Sequence, residues 1–147
     1  MKKLILTIVT ALCCATNLQA AERAINKNEL PEKAKTFVTE KFSNDKIVAA
    51  TEEKCYYFFT CEYNAILASG TKIEFDSDGE WRKVECIRGR RVPSAIIPAK
   101  IARYIQENFA QTQVMKIEKE RRTIEVELNN KVELKFNLDG DLLEIDL

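Results

Sequence analysis

The chain has 147 residues, 23 basic and 23 acidic side chains, and no histidine. Balanced charge gives no electrostatic case for nucleic acid or an anionic membrane as partner. The missing histidine excludes Ser-His and Cys-His nucleophile pairs, histidine-ligated zinc and histidine pH switching.

Residues 1–20 read as a signal peptide. Lys2 and Lys3 form a positive start, Leu4 to Ala15 an apolar stretch, and Leu18-Gln19-Ala20 a cleavage site. The apolar run is shorter than the roughly twenty residues that span a bilayer. Cys13 follows Leu12 and Cys14 follows Cys13, so neither has the small preceding residue of a lipoprotein signal. The expectation is an exported protein, periplasmic or secreted, with no membrane anchor after cleavage. Loss of Lys2 and Lys3 leaves 21 basic against 23 acidic residues, a net charge of −2. Some 127 residues then suit one compact unit or two small fused lobes. Cys55, Cys61 and Cys86 remain, and export permits disulfides. Cys55 and Cys61 flank a predicted hairpin tip and are the candidate pair; the alternative is three unpaired thiols.

In chain order, residues 21–29 are polar and read as a loose N-terminal arm, with Asn26 and Asn28 as helix-capping residues. Leu30, Ala34, Phe37, Val38 and Phe42 make one apolar helical stripe, with Pro31 in the first turn. Val48 to Glu53 reads as a strand. Tyr56-Tyr57-Phe58-Phe59 follows at a hairpin tip. Tyr63, Ala65 and Leu67, then Thr71, Ile73 and Phe75, then Val84 and Cys86, mark the inward faces of three further strands. Residues 87–96 read as a linker whose basic run is solvated surface.

A second helix carries Ile97, Pro98, Ile101, Tyr104, Ile105 and Phe109. Strands follow with Met115 and Ile117, then Ile124, Val126 and Leu128, then Val132, Leu134 and Phe136, and then Leu143, Ile145 and Leu147 inward. Leu67 to Trp81 aligns without a gap on Leu128 to Leu142 at an offset of 61. The helices align at an offset of 67, so the aromatic tip is an insertion of six residues. The expected fold is α+β: two tandem repeats, residues 30–86 and 97–147, each one helix plus a four-stranded antiparallel meander. Their sheets are expected to join into one curved sheet with both helices on one face.

These residues resemble a known family. The Leu-Pro before a helix, the strand pair containing Gly70-Thr71-Lys72-Ile73-Glu74-Phe75-Asp76, Gly79 and Trp81, and the Ile97-Pro98 before the second helix are similar to the exported PepSY-like, β-lactamase-inhibitor-like proteins. Tyr104, Phe136 and Gly140 carry the likeness in the second half. The resemblance implies tandem helix-plus-four-strand units, and a role in binding, inhibiting or chaperoning another exported protein. It carries over no inhibitory residue, because the motif is a folding motif.

On strand parity Trp81 points away from Val84, onto the open sheet face beside Ile66, Lys72, Glu74, Lys83 and Glu85. A tryptophan ringed by charge there is a partner-binding anchor; the competing reading has it covering its own sheet. Tyr56, Tyr57, Phe58 and Phe59 read as a second contact or an edge for strand addition, since neighbouring strand residues cannot all face one core; the competing reading packs them against the second sheet. Glu125, Glu127, Glu133, Lys135, Glu144 and Asp146 would make the second half of that face acidic, which suits a basic partner or a plain solvated surface. Glu74, Asp76, Asp78, Gly79 and Glu85 fit a calcium-loop spacing loosely, but the flanks alternate as strands, so a turn is favoured and no metal is expected. Nor is any cofactor expected, since no phosphate loop, Cys-x-x-Cys or nucleophile elbow is present. The reading is a non-enzymatic exported binding protein, an inhibitor or modulator of another exported protein such as a protease. The alternative is a module for a small ligand, peptide or metal ion, held in a cleft between two lobes.

Overall fold

The computed structural model describes residues 21–55, 59–87 and 89–147. The expected leader, the aromatic tip at Tyr56, Tyr57 and Phe58, and Arg88 lie outside that range. The strands are β1 (Ala21–Ile25), β2 (Ile47–Cys55), β3 (Phe59–Leu67), β4 (Lys72–Asp76), β5 (Trp81–Glu85), β6 (Val114–Lys119), β7 (Thr123–Leu128), β8 (Glu133–Asn137) and β9 (Leu142–Asp146). Helix α1 (Glu32–Lys41) precedes β2, and α2 (Ala99–Asn108) precedes β6.

All nine strands form one antiparallel sheet in sequence order, β1 to β9. The expected architecture of two helix-plus-four-strand repeats is therefore corrected to a single sheet with two helices. β5 pairs with β6 through Lys83 and Glu118, Val84 and Ile117, and Glu85 and Lys116, so the sheet has no break between halves. Apolar periodicity identifies each element by itself and is silent on which edge the next strand joins.

The loose arm expected over residues 21–29 is also corrected, because residues 21–25 are strand β1. β1 pairs with β2 along its whole length. Ile25 packs on the core. Arg23 Nε donates to Glu52 Oε1 at 2.9 Å, and Lys54 lies 3.3 Å from the same oxygen. The hydrogen bond from Arg23 holds the Glu52 carboxyl below the usual range. A buried carboxylate without such partners would be costly, so this pairing fixes β1. Asn26 caps the following 3₁₀ turn, accepting from the Asn28 amide, while Glu29 reaches back to the Asn26 amide.

One row of side chains crosses all nine strands: Ile25, Ala50, Ala65, Ile73, Val84, Ile117, Val126, Leu134 and Ile145. Its seven interior members are buried, and each branched one contributes about 1.5–3 kcal/mol. Helix α1 sets Ala34 and Val38 into this side, and α2 sets Ile101 and Ile105 there. Phe37 meets Phe75 edge-on with centroids 5.9 Å apart, and Tyr104 meets Phe136 at 5.6 Å. Pro31 and Pro98 stand just before their helices, where a missing amide hydrogen costs nothing. The other side of the sheet carries neither helix.

Candidate functional site

Trp81 does not stand on the uncovered face. Glu74 pairs with Lys83, while Phe75 pairs with Trp81, so Arg82 is an extra residue on β5. This bulge reverses the parity of Trp81 and turns its ring to the helix side. There it stacks on Phe37, with centroids 5.8 Å apart and planes 25° apart. Lys119 Nζ sits 3.7 Å from the ring centroid, and burial holds its pKa below the usual lysine value. The same device works on β9. Lys135 pairs with Glu144 and Phe136 with Leu142, so Leu143 is the extra residue. Leu143, expected inward, is exposed, and Leu142 takes the inward place. Ile145 faces the helix side opposite Leu134 but is also exposed, and Leu147 is fully exposed.

The remaining expected residues on the open face do meet there. One row runs Ala49, Ile66, Lys72, Glu85, Lys116, Glu127, Glu133 and Asp146. The next runs Ala24, Thr51, Asn64, Glu74, Lys83, Glu118, Glu125, Lys135 and Glu144. A short third row holds Glu22, Glu53, Glu62 and Asp76. The face thus bears twelve carboxylates and four lysines. Lys83 bonds Glu74 at 3.1 Å, Lys116 lies 3.2 Å from Glu118, and Lys135 pairs with Glu125. Burial opposes the charge on Lys83, but the Glu74 bond and the Glu74, Glu118 and Glu85 charges outweigh it and raise its pKa. Eight spacings of about 4.8 Å make the face about 38 Å wide. Recesses on it include one of about 50 Å³ over β6 to β9 and one of about 280 Å³ over β1 to β4.

Glu62 lies on this face opposite Glu53 and Asp76. Burial, then the neighbouring charges of Glu74 and Glu53, push its pKa up from the ordinary 4.5. A raised carboxyl stabilises the fold fully below its ordinary value and loses that contribution as pH rises through the raised value. Glu62→Gln, which mimics the protonated form, should therefore raise Tm at pH 7, with a gain under about 1 kcal/mol because the site is partly screened. The gain should close as pH falls toward 4.5. Thermal melts from pH 4 to 8 check this, and a gain independent of pH would refute it.

Asp76 Oδ1 accepts from the amides of Asp78 and Glu80 at 3.0 and 2.9 Å, so it closes the turn after β4. Glu74 is taken up by Lys83. The calcium-loop spacing is thus a turn and a strand, and among the described residues no group of three or more acidic or cysteine side chains is placed to hold a metal. The side chains of Cys55, Phe59 and Cys61 lie outside those described, and with them the candidate disulfide and the tip. Cys86 is buried and free, receives a long contact from Thr71 Oγ1 at 3.8 Å, and has its pKa raised by burial. Sequence reasoning left out Glu22, Glu53, Glu62, Lys116 and Glu118 as members of the face. Parity against Ala65 and Ile117 was the signal for Glu62 and Glu118. Lys119 over Trp81 carried none, because it depends on the bulge at Arg82.

Residues 61–144 match the family described as "Putative beta-lactamase-inhibitor-like, PepSY-like". The chain belongs to this PepSY-like family. Among solved structures, this PepSY-like protein is similar to a "putative calcium-regulated periplasmic protein" of Bacteroides thetaiotaomicron, at 36% identity and a TM-score of 0.80, covering 86% of this chain and 97% of that one. Two proteins of Bacteroides vulgatus, both described as "putative periplasmic", match over 86% of this chain. One has 32% identity, a TM-score of 0.78 and 97% of its own chain covered; the other has 31%, 0.79 and 100%. No curated protein matches. The PepSY-like chain is periplasmic, in keeping with the descriptions of these relatives.

Proposed function

We propose that this PepSY-like protein is a non-catalytic binding protein that inhibits or modulates another exported protein through the uncovered sheet face, and that the partner presents a basic surface. The observation that carries this reading is the face itself, with twelve carboxylates against four lysines on strands whose other side is largely committed to the core. Five residues of strand at about 3.4 Å, over a width of about 38 Å, give roughly 600 Å² before side-chain relief. A standard protein–protein interface takes about 800 Å² per partner. Charge complementarity of this kind speeds encounter and selects the partner more than it adds affinity.

Periplasmic capture tests the reading, with the mature chain and the folded double variant Glu85→Lys/Glu133→Lys as parallel baits. The expected result is a basic exported protein held by the first, lost by the second, and released as salt rises. Retention by both baits, in low and high salt alike, would overturn it.

A further inference from the structure

The two edges of the sheet are built differently. At one edge, β1 is tied down by the Arg23 pairs to Glu52 and Glu29. At the other, β9 contains no lysine or proline, the residues that commonly block an edge. Four of the seven exposed large apolar side chains among the described residues gather at it: Leu138, Leu143, Ile145 and Leu147. Among the described residues its outer side pairs with no strand. It therefore presents unpaired backbone groups beside exposed apolar surface, which is the template for strand addition.

The two faces of β9 define what can be added. On the open face stand Glu144 and Asp146, with Glu133 next to Asp146 on β8. On the helix face Ile145 stands beside the buried Leu134. A new strand sets its side chains directly opposite these, alternately on each face. A second copy fits poorly. Its own β9, antiparallel and edge to edge, would bring Glu144 and Asp146 against the same acids, and its β1 would bring Glu22 to that face. Like charges directly opposite are destabilising.

We propose that the β9 edge is a strand-addition site for an extended segment of another exported polypeptide, in which Lys or Arg alternates with aliphatic residues. The basic residues lie opposite Glu144 and Asp146, and the aliphatic ones cover Ile145. This site borders the one proposed on the sheet face and shares Glu144 and Asp146 with it, but its affinity comes from backbone pairing at an edge.

A labelled, end-blocked heptapeptide of alternating Lys and Val, titrated into the mature chain by fluorescence anisotropy, tests the proposal. The expected result is binding that weakens about tenfold when the same residues are clustered instead of alternating. Binding should vanish when every peptide nitrogen is methylated, which keeps the charge and removes the ladder. Glu144→Lys/Asp146→Lys should lose the Lys-Val peptide and gain a Glu-Val one; both side chains are exposed, and circular dichroism confirms the fold. Glu118→Lys, in the middle of the open face, should leave binding unchanged. If the methylated or clustered peptide binds equally, or no peptide binds, the proposal is overturned. If Glu118→Lys weakens binding as much as the edge pair, the peptide lies across the face; the edge site is then wrong while the face reading stands. A dimer that competes with the peptide would likewise replace the proposed partner with a second copy.

Discussion

Trp81→Ala should lower the unfolding free energy by about 2–3 kcal/mol and leave partner binding intact at temperatures where the variant is folded. Removing a fully buried large aromatic costs about 3–5 kcal/mol, and Trp81 is half-buried, which scales the loss down. Its ring is stacked on Phe37 of α1, and the variant leaves that contact empty. It also removes the ring beneath Lys119, so a partly buried ammonium loses its cation–π partner, worth about 0.5–2 kcal/mol within that total. Trp81→Phe keeps a ring against Phe37 and should recover more than half of the loss. Urea unfolding followed by circular dichroism gives the stability of all three forms. An anchor on a binding surface would behave in the opposite way, with unchanged stability and lost capture. That outcome would return Trp81 to the partner interface and contradict the bulge at Arg82.

Gly79→Ala should cost about 3 kcal/mol, far more than Gly89→Ala at about 1 kcal/mol, although both glycines have the same backbone conformation. Gly79 has φ +81° and Gly89 φ +88°, so each substitution carries the left-handed penalty of about 1–2 kcal/mol. Their surroundings differ. A methyl group on Gly79 would come within 2.6 Å of Pro31 Cβ and 3.2 Å of the Ala34 amide nitrogen, where the turn after β4 lies against the start of α1. Overpacking of that kind adds about 1–3 kcal/mol. A methyl group on Gly89 meets nothing within 4 Å. The neighbouring ion pair, Lys33 to Glu80 at 2.8 Å, ties the same turn to the same helix from the solvent side. Denaturant midpoints of the two variants decide the matter. Equal losses would mean that the turn does not fix the helix position.

The inward residues of most strands were legible in the sequence because alternation is a local property. Ala65, Ile73, Val84, Val126 and Leu134 are buried where parity puts them. Ile66, Lys72, Glu74, Lys83 and Glu85 share the open face for the same reason. Parity fails after a single inserted residue, and two insertions account for the misplacement of Trp81 and Leu143, while Ile145 and Leu147 are exposed at the sheet edge. Arg82 turns Trp81 inward, and Leu143 displaces itself outward while bringing Leu142 in. Bulges leave no compositional mark at either place. The strand at residues 21–25 was hidden differently. Its five residues include one strongly apolar side chain, Ile25, and its stability rests on the Arg23 to Glu52 pair, formed 29 positions away in sequence. The joining of the sheets was expected; the division into two four-stranded repeats was not borne out, because β1 adds a ninth strand and the ladder runs unbroken through Val84 and Ile117.

That sequence-ordered sheet has a kinetic consequence. Every strand pairs with the next one along the chain, so most of the ladder forms by short loop closures with small entropic cost. Folding speed falls as contacts become more distant in sequence, and a nine-stranded sheet built this way should fold quickly for its size. Two closures are long: residues 26–46, including α1, separate β1 from β2, and the longer stretch, residues 86–113 with α2, must be spanned before β5 meets β6. The transition state is thus expected at this junction, with Val84 and Ile117 as its most sensitive positions.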